Sequence, residues 1–171
     1  HIITGPVEVR GAEPGDALRI DIEKIELGND WGFCGFRPLF GTLPEDFPYR
    51  RTIHIPVDNE AMTGRLPFGP KEGGMDLPLP PADWGTINTK EPRAMGGNLD
   101  NKELTEGSTL YLPVFNEGAL FSAGDGHGVQ RDGEVCINAL EICLTGHFRL
   151  SLVKGGGAKD PVLKFPRAET K

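Results

Sequence analysis

Apolar and polar residues alternate along several short stretches of this chain, and glycine- or proline-rich turns separate them. The clearest stretch is residues 18–27, LRIDIEKIEL, whose apolar side chains recur at every second position, as in a strand with one buried face. The preceding residues 13–16, EPGD, predict a tight turn, because proline presets φ and the following glycine accepts positive φ. Residues 7–9 and 18–27 are therefore expected to form a hairpin or meander.

Strand patterns return in the last third of the chain. Strands are predicted over residues 108–115, 118–122, 134–144 and 147–154. The third of these is apolar at both even and odd positions apart from Glu134, Asn138 and Glu141, which predicts a strand buried on both faces. Apolar residues in the same segment also follow helical spacing, so a helix is the alternative there.

Glycine and proline are spread over the whole length, with 24 and 15 residues, which disfavours long helices. Residues 28–93 are the most irregular part, because prolines interrupt every candidate helix and leave only short strands such as 51–57. We expect an all-β or mainly β fold, β-sandwich-like or barrel-like, with long Pro/Gly-rich loops and little helix. Its 171 residues suffice for one core, so residues 1–171 are interpreted as a single β-rich unit.

Charge and composition exclude some partners. The net charge of −7 opposes binding to nucleic acid or to an anionic membrane surface, and no apolar stretch is long enough to span a bilayer. The three cysteines form no close pair in the sequence, which favours a reducing compartment, the cytoplasm. The sequence begins at His1 without an initiator methionine, so we interpret it as part of a longer sequence.

One glycine-rich loop, residues 124–134, has the composition of a binding site. It holds Asp125, His127, Asp132 and Glu134 between apolar segments. Asp125, His127 and Glu134 could ligate a metal ion, since two residues apart in an extended segment share a face. A hairpin with arms 119–123 and 134–144 would return Glu134 to the other two. The alternative is a polar connection in which the aspartates satisfy turn amides and the histidine is solvated.

A second acidic cluster lies in residues 96–104, GGNLDNKEL, where Asp100 is a candidate further ligand. Its alternative is structural: Asn98, Asp100 or Asn101 could cap a one-turn helix that starts at residue 102. Cys136, two residues after Glu134, could act as a nucleophile activated by a nearby charge. A cysteine flanked by valine and isoleucine is also typical of a small buried apolar residue.

Several sequence blocks, in the same order, resemble the acetamidase/formamidase family of amide hydrolases. The blocks are residues 4–9 (TGPVEV), 11–16 (GAEPGD), 96–101 (GGNLDN), 107–114 (GSTLYLPV), and 118–127 (GALFSAGDGH) continuing into 132–136 (DGEVC). Their joint occurrence is specific, whereas each alone is weak. The chain resembles the central portion of the family's domain, and residues 37–93 resemble it least.

The resemblance implies a β-rich fold and hydrolysis of the C–N bond of a small amide, formamide-like or acetamide-like, to a carboxylate and ammonia. It implies a site with Asn98, Asp125 and Glu134 in catalysis and with Asp100, His127 and Glu134 as metal ligands, Asp125 being a further candidate ligand. The metal would be a divalent ion, with zinc favoured over calcium, and Glu134 would be a ligand or the general base. The expected partners are the amide and either further copies or companion chains that carry the missing flanks.

Two other functions remain open. A γ-lactam presents the same bond as a linear amide and needs the same chemistry, so a cyclic-amide hydrolase is the first alternative. The second is a non-catalytic β-rich binding module in which the Asp-Gly-rich loop holds a structural calcium ion, although residues 125–127 do not follow the EF-hand pattern.

Overall fold

The computed structural model describes residues 3–61, 63–64, 92–132, 134–157 and 159–164. Within these ranges the chain forms strands joined by turns and irregular segments, without a helix, which confirms the all-β fold class. The strands are β1 (Ile3–Val7), β2 (Ala17–Leu27), β3 (Trp31–Phe36), β4 (Arg51–Asp58), β5 (Thr63–Gly64), β6 (Thr109–Pro113), β7 (Phe121–Gly124), β8 (His127–Val129), β9 (Leu140–Glu141), β10 (Leu144–Val153) and β11 (Val162–Lys164).

The main core lies against a four-stranded antiparallel sheet in the order β10-β2-β6-β11. Leu18, Ile20 and Ile22 point inward from β2, as the alternation predicts, and pack with buried residues of β6 and β7. The turn predicted before β2 is also present, since the Asp16 N–H donates to the Glu13 carbonyl at 3.0 Å.

The predicted hairpin between residues 7–9 and 18–27 is wrong, because β1 pairs with β7 and β2 pairs with β10 and β6. Residues 8–16 instead form backbone hydrogen bonds with the segment 114–118, besides those that close their own turns. The Val9 N–H donates to the Gly118 carbonyl at 2.7 Å, and the Gly118 N–H donates to the Ala12 carbonyl at 2.9 Å. This connection leaves both edges of β2 to strands from the second half of the chain.

A second sheet, in the order β5-β4-β3-β9-β8, positions the candidate site. The two-residue strand β9 lies between β3 and β8 and pairs with β3 at Phe33↔Glu141 and with β8 at His127↔Glu141. Gly32 of β3 lies so close to β9 that a Cβ atom there would be 2.6 Å from the Glu141 carbonyl oxygen. The absence of a side chain at Gly32 therefore permits the close packing that places Glu141.

The long strand predicted over residues 134–144 is wrong except at β9 and at Leu144, where β10 begins, and the helical alternative is wrong throughout. Glu134 and Ile137 have φ of 31° and 69°, so this segment cannot be extended, and the Ile137 N–H closes a turn on the Glu134 carbonyl at 2.7 Å. The predicted hairpin with arms 119–123 and 134–144 is also wrong, because β7 pairs with β1 whereas β8 pairs with β9.

The remaining strand predictions hold with shifted ends. Residues 51–57 and 147–154 contain most of β4 and of β10, and residues 108–115 contain β6, whereas the predicted strand 118–122 begins only at Phe121. Ala119 and Leu120 precede it with positive φ. Of the irregular segment 28–93, residues 62 and 65–91 lie outside the described residues. The described ranges contain no helix long and apolar enough to cross a membrane.

Candidate functional site

The site is built around His127, whose side chain is 3% exposed at the start of β8. Asp125, two residues earlier, has φ of 59°, so the extended geometry predicted for this segment is wrong. Gly126 lies between them, and a Cβ atom on it would be 2.7 Å from the Ile142 carbonyl oxygen, so the close approach of these two segments requires glycine at this position. The bend still leaves the Asp125 Oδ1 atom 3.7 Å from the His127 Nε2 atom.

Three carboxylates face the two nitrogens of this imidazole. Glu141 Oε1 is 3.4 Å and Asp125 Oδ1 is 3.7 Å from His127 Nε2, while Glu134 Oε1 is 3.9 Å from Nδ1. Burial by itself lowers the pKa of His127, but the carboxylates of Glu141, Asp125 and Glu134 outweigh it and raise that pKa to about 9. The carboxylates thus attract a positive charge to this position.

The second acidic cluster meets the first. Asp100, at φ of 44°, offers a carboxylate oxygen within 4.8 Å of the ligand atoms of Asp125 and His127. Asn98 lies beside it, since Asn98 Nδ2 donates to Asp100 Oδ2 at 2.6 Å. The capping alternative applies to Asn101, whose Oδ1 accepts the Glu103 N–H at 2.8 Å in a turn, not in the helix considered from the sequence.

His127 belongs to two groups of potential ligands. The first is Asp100, Asp125 and His127, and the second is His127, Glu134 and Glu141; in each, one ligand atom per residue lies within 4.8 Å of the others. The Oε1 atom of Glu134 is buried and accepts no hydrogen bond among the described residues. Burial, followed by the charge of Asp100, raises the pKa of Glu134.

A buried carboxylate oxygen without a donor is costly, and a cation beside it would remove that cost. Oxygen donors combined with an imidazole nitrogen are a set that divalent cations accept. The residues therefore fit a metal ion.

All five residues predicted from the sequence lie in this region, namely Asn98, Asp100, Asp125, His127 and Glu134. Their roles as ligands or catalysts stay predictions. Asp132, the remaining carboxylate of the glycine-rich loop, is exposed and pairs with Lys102. The loop thus divides into a buried part at the site and a solvated part.

Sequence reasoning missed Glu141 and Gln130 as site residues. A glutamate inside an otherwise apolar run was the available signal for Glu141, because a buried charge needs a partner. Gln130 is buried, and its Nε2 atom donates to the Asp100 carbonyl at 3.3 Å. No sequence pattern around Gln130 distinguished it from a solvent-exposed polar residue of the loop. Cys136 was expected on the same strand face as Glu134, but no strand forms there, and its sulfur lies 3.6 Å from that of Cys34.

Comparison with known proteins gives a consistent picture. The sequence profile of the acetamidase/formamidase family matches residues 1–65 and 81–170. The formamidase of Methylophilus methylotrophus is 29% identical over 96% of this chain and 55% of its own length.

Solved structures agree. The acetamidase of Bacillus halodurans superposes with a TM-score of 0.84 at 32% identity, covering 95% of this chain and 55% of that one. The γ-lactamase of Delftia acidovorans gives 0.85 at 30% identity, covering 98% and 56%. The chain thus spans about half the length of the curated relatives it matches.

Proposed function

The chain belongs to the acetamidase/formamidase family, and from this premise we propose that it hydrolyses the C–N bond of a small linear amide to a carboxylate and ammonia. The observation that carries the proposal is the buried His127 enclosed by the carboxylates of Asp125, Glu134 and Glu141. The relatives named formamidase and acetamidase support formamide and acetamide as the substrate class.

We propose that a divalent metal ion assists the reaction, held by Asp100 and His127, with Glu134 either as a third ligand or as the general base. Zinc is favoured over calcium, because both ligand groups depend on an imidazole nitrogen, a donor that zinc takes readily and calcium avoids. Glu141, at 3.4 Å from the imidazole, is the additional candidate ligand. When bound, such an ion would polarise the amide carbonyl and lower the pKa of a water molecule.

Three side chains of the site have the remaining roles in the proposed reaction. As the general base, Glu134 would accept the proton of the attacking water, because its Oε1 atom accepts no hydrogen bond among the described residues and faces the site. Asn98, hydrogen-bonded to Asp100, orients the amide. Asp125 lies 3.7 Å from His127 and holds the imidazole in position.

The test is Glu134→Gln, which keeps the size of the side chain and removes the base. Turnover of formamide and acetamide should fall at least about 100-fold while the circular dichroism spectrum and the melting temperature stay native. Glu117→Gln, at an exposed position, is the matched control and should keep its activity. Near wild-type turnover by the Glu134 variant would remove this residue from the mechanism.

A γ-lactam hydrolase is the second candidate, supported by the likeness to the γ-lactamase of Delftia acidovorans. The family profile leaves residues 66–80 unmatched, so this segment does not help to choose between the two substrate classes. Parallel assays with formamide, acetamide and a γ-lactam separate the two, because only the linear amides release ammonia.

The non-catalytic alternative, a binding module with structural calcium, is separated by metal analysis. Bound zinc whose removal by a chelator abolishes turnover supports the hydrolase. Bound calcium in a protein that hydrolyses none of the three substrates supports the module.

We further propose that residues 1–171 form one β-rich unit that associates with the part of the family's domain that this chain does not span. Leu39 and Val135 are 87% and 65% exposed, and the loops that carry them are joined by the Thr42 N–H and the Val135 carbonyl at 3.0 Å. Exposed apolar side chains clustered in this way mark an interaction surface. Native mass spectrometry should show a second polypeptide; a homo-oligomer is the competing outcome, and a lone monomer of 18.5 kDa contradicts association.

We propose the cytoplasm as the location. Cys34, Cys136 and Cys143 are all free, as expected in a reducing compartment. Subcellular fractionation that recovers the protein outside the cytoplasm would contradict this assignment.

A further inference from the structure

Two cysteines that are distant in the sequence meet beside the candidate site. Cys34 lies on β3 and Cys136 in the turn that follows Glu134, and their Sγ atoms are 3.6 Å apart. A disulfide bond is about 2.05 Å long, so the two sulfurs need to approach by roughly 1.5 Å. Both side chains are half-buried, whereas the third cysteine, Cys143, is exposed.

Asn138 holds the two thiols in this arrangement. Its side chain clamps Gly35 of β3 by two hydrogen bonds, with Nδ2 donating to the Gly35 carbonyl at 2.5 Å and Oδ1 accepting the Gly35 N–H at 3.1 Å. The same Oδ1 atom lies 3.0 Å from the Cys34 sulfur and 3.7 Å from the Cys136 sulfur. The turn that carries Cys136 is therefore held against β3 with the two sulfurs in contact, and closing the remaining distance moves this turn toward β3.

We propose that Cys34 and Cys136 are a redox-active pair that forms a reversible disulfide across β3 and the Glu134 turn. The oxidant is a small disulfide such as oxidised glutathione. One protein thiol, as thiolate, attacks it and releases one glutathione; the second protein thiol then attacks the mixed disulfide and releases the other. Two electrons pass from the protein sulfurs to the oxidant, and the two protons end on the two released glutathione thiols.

The bond would act on the site through the turn. Glu134 precedes Cys136 by two residues, and its Oε1 atom is 3.9 Å from His127. Drawing Cys136 toward β3 shifts Glu134 against the imidazole, and a displacement of about 1 Å at a reacting group can cost about 100-fold in rate. Oxidation should therefore lower amide hydrolysis, and this consequence alone rests on the proposed function.

The bond is tested by equilibrating the purified protein with oxidised and reduced glutathione at several ratios and alkylating the remaining thiols. Intact mass should show the loss of two hydrogen atoms and one alkylated cysteine, and peptide mapping should link residues 34 and 136. Cys143→Ser is the matched control and should form the same bond. Cys34→Ser and Cys136→Ser should each fail to form it, and thermal melts establish which of these variants are folded.

Two results would overturn the pair. One is that Cys34 and Cys136 stay reduced at ratios that glutathionylate Cys143; the other is a linkage through Cys143. The activity effect is separate: a disulfide that leaves turnover unchanged refutes the coupling to the site. A reduced protein without any amidase activity refutes the proposed function and leaves the mass result standing.

Discussion

Replacement of Gly32 by alanine tests whether strand β3 positions the candidate site. The new Cβ atom would lie 2.6 Å from the Glu141 carbonyl oxygen and 2.9 Å from Leu140 Cδ1. Relaxed contacts between non-bonded heavy atoms are about 3.5 Å or longer, so β9 has to retreat by roughly 0.5 to 1 Å. Leu140 is 4% exposed and cannot turn into solvent to relieve the contact.

The retreat of β9 moves Glu141 away from His127 Nε2, from which it is 3.4 Å distant. A misplacement approaching 1 Å predicts a fall in kcat/KM of about 10- to 100-fold. Overpacking of this kind lowers the free energy of unfolding by about 1–3 kcal/mol, or about 2–4 °C in Tm per kcal/mol for a chain of this size. The assays are amide turnover, zinc affinity by competition with a chromophoric chelator, and thermal unfolding.

Gly35→Ala is the matched control on the same strand. Its Cβ atom would lie 2.5 Å from the Arg51 carbonyl oxygen, so it presses on β4 instead of β9. It should lose stability to a similar extent and keep more of its zinc affinity and turnover. Equal losses in both variants, or wild-type turnover in Gly32→Ala, would show that β3 does not position Glu141.

Three further predictions concern stability. Ile20→Ala removes a side chain that is 0% exposed in the core and should lower the free energy of unfolding by about 2–5 kcal/mol in chemical denaturation; a loss under 1 kcal/mol would contradict the assigned core. In Asp16, hydrogen bonds from the Gly155 N–H, the Lys154 ammonium and the Glu13 N–H lower the pKa, so its carboxylate stabilises the fold above about pH 4 and this contribution is lost as pH falls through the lowered pKa. Wild type should therefore exceed Asp16→Asn in stability near neutrality and lose that advantage progressively in acid, and a stability difference that does not shrink as the pH falls would contradict this. Zinc at one hundred times its Kd should raise the free energy of unfolding by about 2.7 kcal/mol in wild type and not in His127→Asn, whereas His147→Asn, at an exposed histidine, should respond like wild type.

The alternation of apolar and polar residues predicted the strands correctly where one face of the strand is buried. The alternation in β2 is such a case, because Leu18, Ile20 and Ile22 contact the core while the residues between them face outward. Pattern failed over residues 134–144, where Glu134 and Ile137 have positive φ and the turn is bonded to a distant segment through the Thr42 N–H and the Val135 carbonyl. The apolar residues of this segment lie both in half-buried turns and in a strand, and the spacing of apolar residues alone cannot tell a turn from a strand.

The site was predictable where its residues are neighbours in one loop. Asp125 and His127 are two residues apart, and the glycine between them allows the bend. Glu141 joins them through pairing of β8 with β9 and of β9 with β3, which no local motif encodes. The Cys34–Cys136 contact was missed for the same reason, since it joins positions 102 residues apart.

The pairing of Phe33 with Glu141 has a consequence for the order of events during folding. Closing this contact joins segments separated by most of the chain, so its entropic cost has to be met before the strands stabilise each other. The carboxylate of Glu141 can reach His127 only after β9 has emerged from the ribosome and docked. A nascent chain that ends before residue 140 therefore carries Asp100, Asp125 and His127 without the strand that completes their surroundings, so the candidate site can form only after β9 has been synthesised.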